Sequence, residues 1–209
     1  MMLACGALLG SRVEANWSPA TDAAELTLCA VFGGVPHSPG YPLWTWLARL
    51  VVDLPTGLHP VAALSWMGVG LACLAALFSR AFLRAYGVRP WAATASAALL
   101  LVVPTHIRAF TIPEVYALDL LLLCSSAWAV GRGAEPGREA WRTIGLALAV
   151  LAVGHRPLNI VFFAVICVGW VPGLLRSRAS WRGPAIGLGL QGILLVDLWY
   201  RVQNPTTPW

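Results

Sequence analysis

The sequence predicts an all-α chain, a polytopic transmembrane bundle of about seven helices with the first one incomplete. Three observations carry that expectation. Of 209 residues, 58% are apolar and only 11% charged, with mean hydropathy +0.72, whereas a soluble domain carries about 25% charged residues. Uncharged runs of membrane-spanning length recur along the chain, because about 20 apolar residues match a hydrocarbon core about 30 Å thick. All 14 basic residues are arginine, and most fall in three short clusters between those runs. Five cysteines, 15 prolines and 20 glycines without repeat spacing exclude collagenous, disulfide-framework and disordered chains. A net charge of +5 spread over separate clusters, with no basic face, argues against a nucleic-acid partner.

Taken in order, Met1 to Ser11 is apolar but short, covering roughly half a membrane at 1.5 Å per residue. Without a basic region ahead of it, this segment reads as the tail of a first membrane helix rather than a signal peptide. A long outer loop over residues 11–58 follows, and a connection of that length is usually functional or disordered. Within it, Leu43 to Leu54 is aromatic and apolar, the pattern of a short helix at the membrane interface. The bundle occupies residues 59–200. His59 to Ser79, Pro90 to Ile107 and Pro157 to Leu175 span without a charge; Val115 to Gly131 contains Asp119, and Gly183 to Tyr200 contains Asp197. Thr143 to Gly154 spans only if Trp141 and Arg142 snorkel or the Gly154 end lies below the surface. Residues 201–209 begin a further outer segment, and residues 1–209 read as one module.

Arginine placement sets the sidedness, since short cytoplasmic loops retain positive charge. The loops holding Arg80, Arg84 and Arg89, then Arg132, Arg138 and Arg142, then Arg176, Arg178 and Arg182 sum to +7 once Glu135 and Glu139 are counted; the other side sums to −2. All four histidines fall on or near that other side. The expected location is a bacterial inner membrane, with the functional face toward the periplasm; the lysine-free, arginine-rich usage fits a GC-rich bacterial genome.

Four constellations on the outer side could carry chemistry. Thr21-Asp22-Ala23-Ala24-Glu25 reads as a helix start, with Thr21 or Asp22 as the cap and Glu25 as its partner three residues on. A carboxylate so held is also placed to act as a general base. Gly34 to Leu43 (GVPHSPGYPL) is too rich in turn formers for helix or strand and leaves His37 and Tyr41 on a stiff loop, either as site residues or as a plain interfacial turn. Arg108 with Glu114, Tyr116 and Asp119 forms the third, either a structural Arg108–Glu114 ion pair or a functional acid inside the membrane. Gly154-His155-Arg156-Pro157 breaks two apolar helices, and an outward cationic pair there could hold a phosphate or anchor lipid headgroups. Asp197 and Arg201 read as a helix ion pair. No CxxC, HExxH, GxGxxG or Walker-type pattern occurs, so no metal site and no cofactor is expected.

The outer-loop Asp-x-x-Glu (Asp22 to Glu25), the stretch His37 to Leu43, Glu114 to Leu118 (EVYAL), the Gly154-His155 break and Arg201 to Trp209 (RVQNPTTPW) together resemble the domain of unknown function 2723 family, which includes the transmembrane protein 260 type of protein O-mannosyltransferase. The resemblance runs along nearly the whole chain. It departs at Ser38, where the family usually has a second proline, at Ala24, often glycine, and at Asp119, commonly asparagine. It implies a GT-C glycosyltransferase fold and an inverting transfer of a sugar, with mannose the candidate, from a polyprenyl-phosphate donor to a hydroxyl on a protein or glycan acceptor. By that match Asp22 is the catalytic base, Glu25 its neighbour at the acceptor, and His37 and Tyr41 shape the same cleft, with Glu114 and Tyr116 as further candidate substrate-binding residues. Arg108, His155 and Arg156 are placed near the donor phosphate from charge and depth. Because GT-C enzymes normally have more helices, the chain reads as an N-terminal piece or a reduced relative. The competing readings are a transporter or lipid-carrier binding protein and an inactive truncated homologue; the crowding of polar residues at one surface, without internal repeats, favours the enzyme.

Overall fold

The computed structural model describes residues 2–13, 22–37, 40–165 and 182–203. Helices α1 (Met2–Gly10), α2 (Asp22–Phe32), α3 (Pro42–Val52), α4 (Pro60–Ala85), α5 (Pro90–Val102), α6 (Pro104–Thr111), α7 (Tyr116–Arg132) and α8 (Glu139–His155) follow one another. A 3₁₀ turn at Pro157–Asn159 leads into helix over 160–165, and α9 (Arg182–Gln203) follows. Among the described residues there is no strand. Thr21, Ser38, Pro39, Arg176, Arg178, the later part of the expected 157–175 span, the Arg201 side chain and residues 204–209 lie outside the described set.

Proline opens four of these helices, at the first position where a missing N–H costs nothing and a fixed φ helps. His59 caps α4 from an extended backbone, its Nδ1 accepting the Val61 N–H at 3.4 Å. Pro104 corrects the expectation of one helix over 90–107. It forces Val103 into extended backbone (φ −63°, ψ 128°), so the chain breaks there and α6 leaves α5 at 64°. His106 then reaches back over the break, its Nδ1 lying 2.9 Å from the Leu100 carbonyl.

Side-chain contacts fix the helix directions. Phe78 and Trp128 pack at 5.3 Å, and Leu64 and Leu118 near the two helix starts belong to one buried cluster, so α4 and α7 run parallel. Trp128 meets Trp141 at 5.0 Å at one end of α7, and Asp119 meets Arg156 at the other, so α8 runs antiparallel to α7. Their crossing is close: Ser126 Oγ donates to the Gly145 carbonyl at 2.8 Å, and a Cβ on Gly145 would come within 2.6 Å of the Val130 backbone nitrogen. Gly183 and Gly187 of α9 meet Thr143 and Ala147 of α8 in the same way, which lets those two helices lie parallel at backbone contact. One apolar cluster joins α1, α4, α5, α6 and α7 through Leu9, Ala72, Leu101, Phe110 and Ala117. A second joins α2, α3, α4, α7 and α8 through Leu26, Trp44, Leu64, Leu118 and Ala152.

By length and composition, α4 is the one described helix able to cross a membrane alone, with a second if α5 and α6 count as one broken span. The expected count of about seven rested on apolar runs. In the structure α7 and α8 are 17 residues each, about 25 Å long, at the lower limit for a span. Two described arginine clusters lie together at one end of the bundle. There Arg80 Nε donates to Thr94 Oγ1 at 2.9 Å, Arg132 and Arg138 both reach Glu135, and Arg142 Nη2 donates to the Gly133 carbonyl at 2.8 Å.

Candidate functional site

The opposite end gathers the acids and histidines of the outer constellations. Asp22 and Glu25 lie in the first turn of α2, three residues apart and so on one face, where the positive end of the helix dipole favours carboxylates. Glu25, the capping partner in the reading of the sequence, turns both carboxylate oxygens to the loop that follows α2. Its Oε1 accepts the His37 backbone N–H at 2.6 Å, and its Oε2 lies 2.8 Å from His37 Nδ1. His37 Nε2 faces Asp22 Oδ2 at 3.8 Å, so one imidazole stands between both acids. Those contacts raise the His37 pKa above its ordinary value, the hydrogen bond to Glu25 contributing most.

The loop that presents His37 turns through left-handed backbone at Gly33 (φ 80°), Gly40 (φ 84°) and Tyr41 (φ 40°). Tyr41 is the exception among them, because a residue with a Cβ rarely adopts that conformation. Its ring is held on both sides, edge-on to His37 at 5.5 Å and edge-on to His155 at 5.7 Å. Burial moves its hydroxyl pKa upward.

Glu114 enters from the turn between α6 and α7. Its carbonyl accepts the Nε1–H of fully buried Trp44 at 3.1 Å, which ties α3 to that turn. Burial, reinforced by the charge of Asp22, raises the Glu114 carboxyl to about 6. Asp22, Arg108, Glu114 and Tyr116, with Thr105 and Ile112, line one open cleft of about 320 Å³. Thr105, Ala109 and Tyr116 also line a neighbouring, mainly apolar furrow of about 400 Å³ between α6 and α7, bordered further by Phe110, Leu120 and Leu123 with His106 and Asp119.

Arg108 and Glu114 share this cleft without forming an ion pair, so of the two readings of that constellation the structural pair falls; the nearby ion pair is Arg156 to Asp119, Nη1 to Oδ2 at 3.4 Å. Asp119 is buried, and its other oxygen accepts from Asn159 Nδ2 at 2.5 Å. Arg156 lies with its Cζ 4.8 Å from the centre of the Tyr116 ring. The outward cationic pair expected at 155–156 is thereby divided. His155 is fully buried against Tyr41, while Arg156 is partly exposed beside Tyr116.

The structure thus brings Asp22, Glu25, His37, Tyr41 and His155 into one contact series, and Asp22, Arg108, Glu114 and Tyr116 into one cleft. His59 and His106 are occupied elsewhere, by the start of α4 and by the α5–α6 break. Asn159 escaped the reading of the sequence, although it is the single amide in the apolar run 157–175. Among the described residues no three His, Cys, Asp or Glu side chains converge on a metal position.

Comparison with known proteins adds one match. A family model described as the protein O-mannosyl-transferase TMEM260 N-terminal domain matches residues 22–172, most of the chain. No curated protein and no solved structure matches it.

Proposed function

The chain belongs to the family of the protein O-mannosyl-transferase TMEM260 N-terminal domain, and from that membership we propose an inverting GT-C type transfer of a sugar, from a polyprenyl-phosphate donor to a hydroxyl of a protein or glycan acceptor. Asp22 takes the proton of the acceptor hydroxyl. The oxygen attacks the anomeric carbon as the bond from that carbon to the phosphate oxygen breaks, and polyprenyl phosphate leaves. Glu25, held by His37, borders the acceptor; Arg108 and Arg156 face the negative charge that develops on the leaving phosphate, the form of stabilisation that usually contributes most to such transfers.

The observation that carries this reading is the shape of the cleft. A carboxylate, Asp22, shares one opening with a cation, Arg108, and Tyr116 borders both that opening and a neighbouring, mainly apolar furrow. A polar head joined to a long hydrocarbon has the same two-part chemistry. The setting is a multi-pass membrane protein with the cleft on the extracytoplasmic side. Helices α4 and α7 run one way and α8 the other, and large apolar side chains are exposed on several helices, among them Leu74, Trp91, Leu99, Val161, Ile193 and Trp199. Water would penalise such an exterior, while lipid accepts it. The arginine clusters at the far end favour the stated orientation.

Asp22→Asn in the protein's native membrane tests the mechanism, because the amide keeps the size and helix-start preference of aspartate while removing its basicity. Sugar transfer from polyprenyl-phosphate mannose to a hydroxyl peptide should fall about 10² to 10⁴-fold with unchanged protein level. Transfer at the wild-type rate would remove Asp22 from the mechanism.

A further inference from the structure

We propose that Asp119 is a positioning residue that acts through Arg156: with Asn159 it locks the guanidinium against the Tyr116 ring, so that the remaining N–H groups form a ready-made anion fork at the edge of the cleft. The proposal rests on the reading of Arg156 as a contact of the donor phosphate, and goes beyond it by assigning Asp119 and Asn159 a function.

Asp119 sits in the first turn of α7 and is buried, a costly place for a carboxylate unless it is paired and hydrogen-bonded. Both its oxygens have partners. One faces Arg156 Nη1 at 3.4 Å and the other accepts from Asn159 Nδ2. Asn159 is itself tethered, since the same nitrogen donates to the Ala152 carbonyl at 2.9 Å near the end of α8. The Asp119 carboxylate therefore has little freedom to rotate. Arg156 in turn meets Asp119 with one nitrogen and lies with its guanidinium carbon 4.8 Å from the Tyr116 ring centre. Tyr116 lines both the polar cleft and the apolar furrow. A free arginine would lose considerable rotamer entropy on gripping a phosphate. An arginine already fixed by an acid and a ring has lost it beforehand, which is how preorganisation raises affinity.

Charge alone predicts the opposite sign. Removing an anion beside an anion site should strengthen phosphate binding; removing a positioning residue should weaken it. The test is a double-mutant cycle on the affinity of the detergent-purified or nanodisc-held protein for a short-chain polyprenyl monophosphate, with thermal stability measured alongside. Arg156→Ala should weaken binding about 10 to 100-fold, the loss expected for charge-assisted hydrogen bonds. Asp119→Ala should weaken it about three- to tenfold, the release of one rotamer-rich side chain, and should add less than about twofold in the Arg156→Ala background. Asp119→Asn, which still offers Arg156 an oxygen, should fall between wild type and Asp119→Ala. Should Asp119→Ala fail to fold, Asn159→Ala removes only the tether and should shift affinity in the same direction.

Stronger binding by Asp119→Ala, or a loss that adds in full to that of Arg156→Ala, would overturn the positioning role while leaving Arg156 in the donor site. A lower melting temperature with unchanged affinity would reduce the Asp119–Arg156 pair to a clasp between α7 and α8. Unchanged affinity in Arg156→Ala would overturn the donor-site reading and this proposal with it.

Discussion

Glu25 gives both carboxylate oxygens to a single residue, His37, one to its backbone N–H at 2.6 Å and one to its ring Nδ1 at 2.8 Å. That double contact divides the labour between the two acids of the first helical turn. Glu25 is fixed and its loop is fixed with it, whereas Asp22, one turn earlier, meets the same ring only at 3.8 Å and keeps an open face toward the cleft. An acid that must take a proton needs the second situation; an acid that must hold a loop needs the first.

The first prediction follows from the raised pKa of His37. The imidazole should titrate above its ordinary value of about 6.5 in NMR spectra of the labelled protein, and Glu25→Gln should bring it back toward that value. A folded-state pKa above the unfolded one means the stabilisation is fully present below 6.5 and lost as pH rises through the folded value. Because His37 and Glu25 side chains are 39% and 40% exposed, solvent screening keeps the contribution below about 1 kcal/mol. The larger effect of Glu25→Gln should be faster proteolysis of the loop around Gly33 to Tyr41. An unchanged His37 titration in that variant would mean Asp22, not Glu25, holds the ring charge.

Trp44 offers a test of how the site is built. Trp44→Phe keeps an aromatic ring in the core but leaves the Glu114 carbonyl without its donor, which should cost about 1–3 kcal/mol, and Trp44→Ala about 3–5 kcal/mol. Thermal unfolding reads the cost. Transfer activity should fall in Trp44→Phe at temperatures where the variant is fully folded, since the same bond positions the turn carrying Glu114. Full activity there would confine Trp44 to packing.

Parts of this arrangement are legible in the sequence for local reasons. Pro42 followed by an aromatic and apolar run announces α3, and the uncharged run after His59 announces α4. The Asp22–Glu25 spacing places two acids on one helical face without further information. Pro104 carried its signal too, in the restriction it imposes on Val103, but an unbroken apolar run hid it. The pairing of Asp119 with Arg156 and Asn159 was not legible, because it joins residues about 40 positions apart on α7 and beyond α8. Periodicity assigns a residue to a face of its own helix and says nothing about which residue of another helix lies opposite. The partner of Glu25 escaped for a related reason: a capping pattern is read locally, and the loop that meets Glu25 returns from twelve residues away.

Sidedness can be read with single cysteines at exposed positions. Thr56→Cys should react with an impermeant thiol reagent from the extracytoplasmic side, and Ala85→Cys and Ala134→Cys only from the cytoplasmic side, in each case above the background of the native cysteines. The expectation rests on the arginine clusters sharing one end of the bundle and the cleft occupying the other. Labelling of Ala85→Cys from the outside would reverse the orientation and place the cleft in the cytoplasm.

Glu114 supplies the last prediction, because its carboxyl titrates inside an accessible window. Burial and the neighbouring charge of Asp22 raise it to about 6, against 4.5 for an unperturbed glutamate. The sign for stability is the reverse of the usual carboxylate case: the folded protein favours the neutral acid, so stability falls as pH rises from 4.5 through about 6 and then levels. The same ionisation bears on the donor. A polyprenyl-phosphate sugar is a phosphodiester that keeps one negative charge throughout this range, so the charge that appears on Glu114 as pH rises through 6 repels it in the shared cleft with Asp22. Donor affinity should therefore weaken across that interval in the wild type and stay flat in Glu114→Gln, which mimics the neutral acid. His37 titrates above 6.5 and would leave a separate, higher limb in both proteins. If Glu114→Gln retains the full fall in affinity near pH 6, the titrating group lies elsewhere, and Glu114 contributes to the cleft through its carbonyl alone.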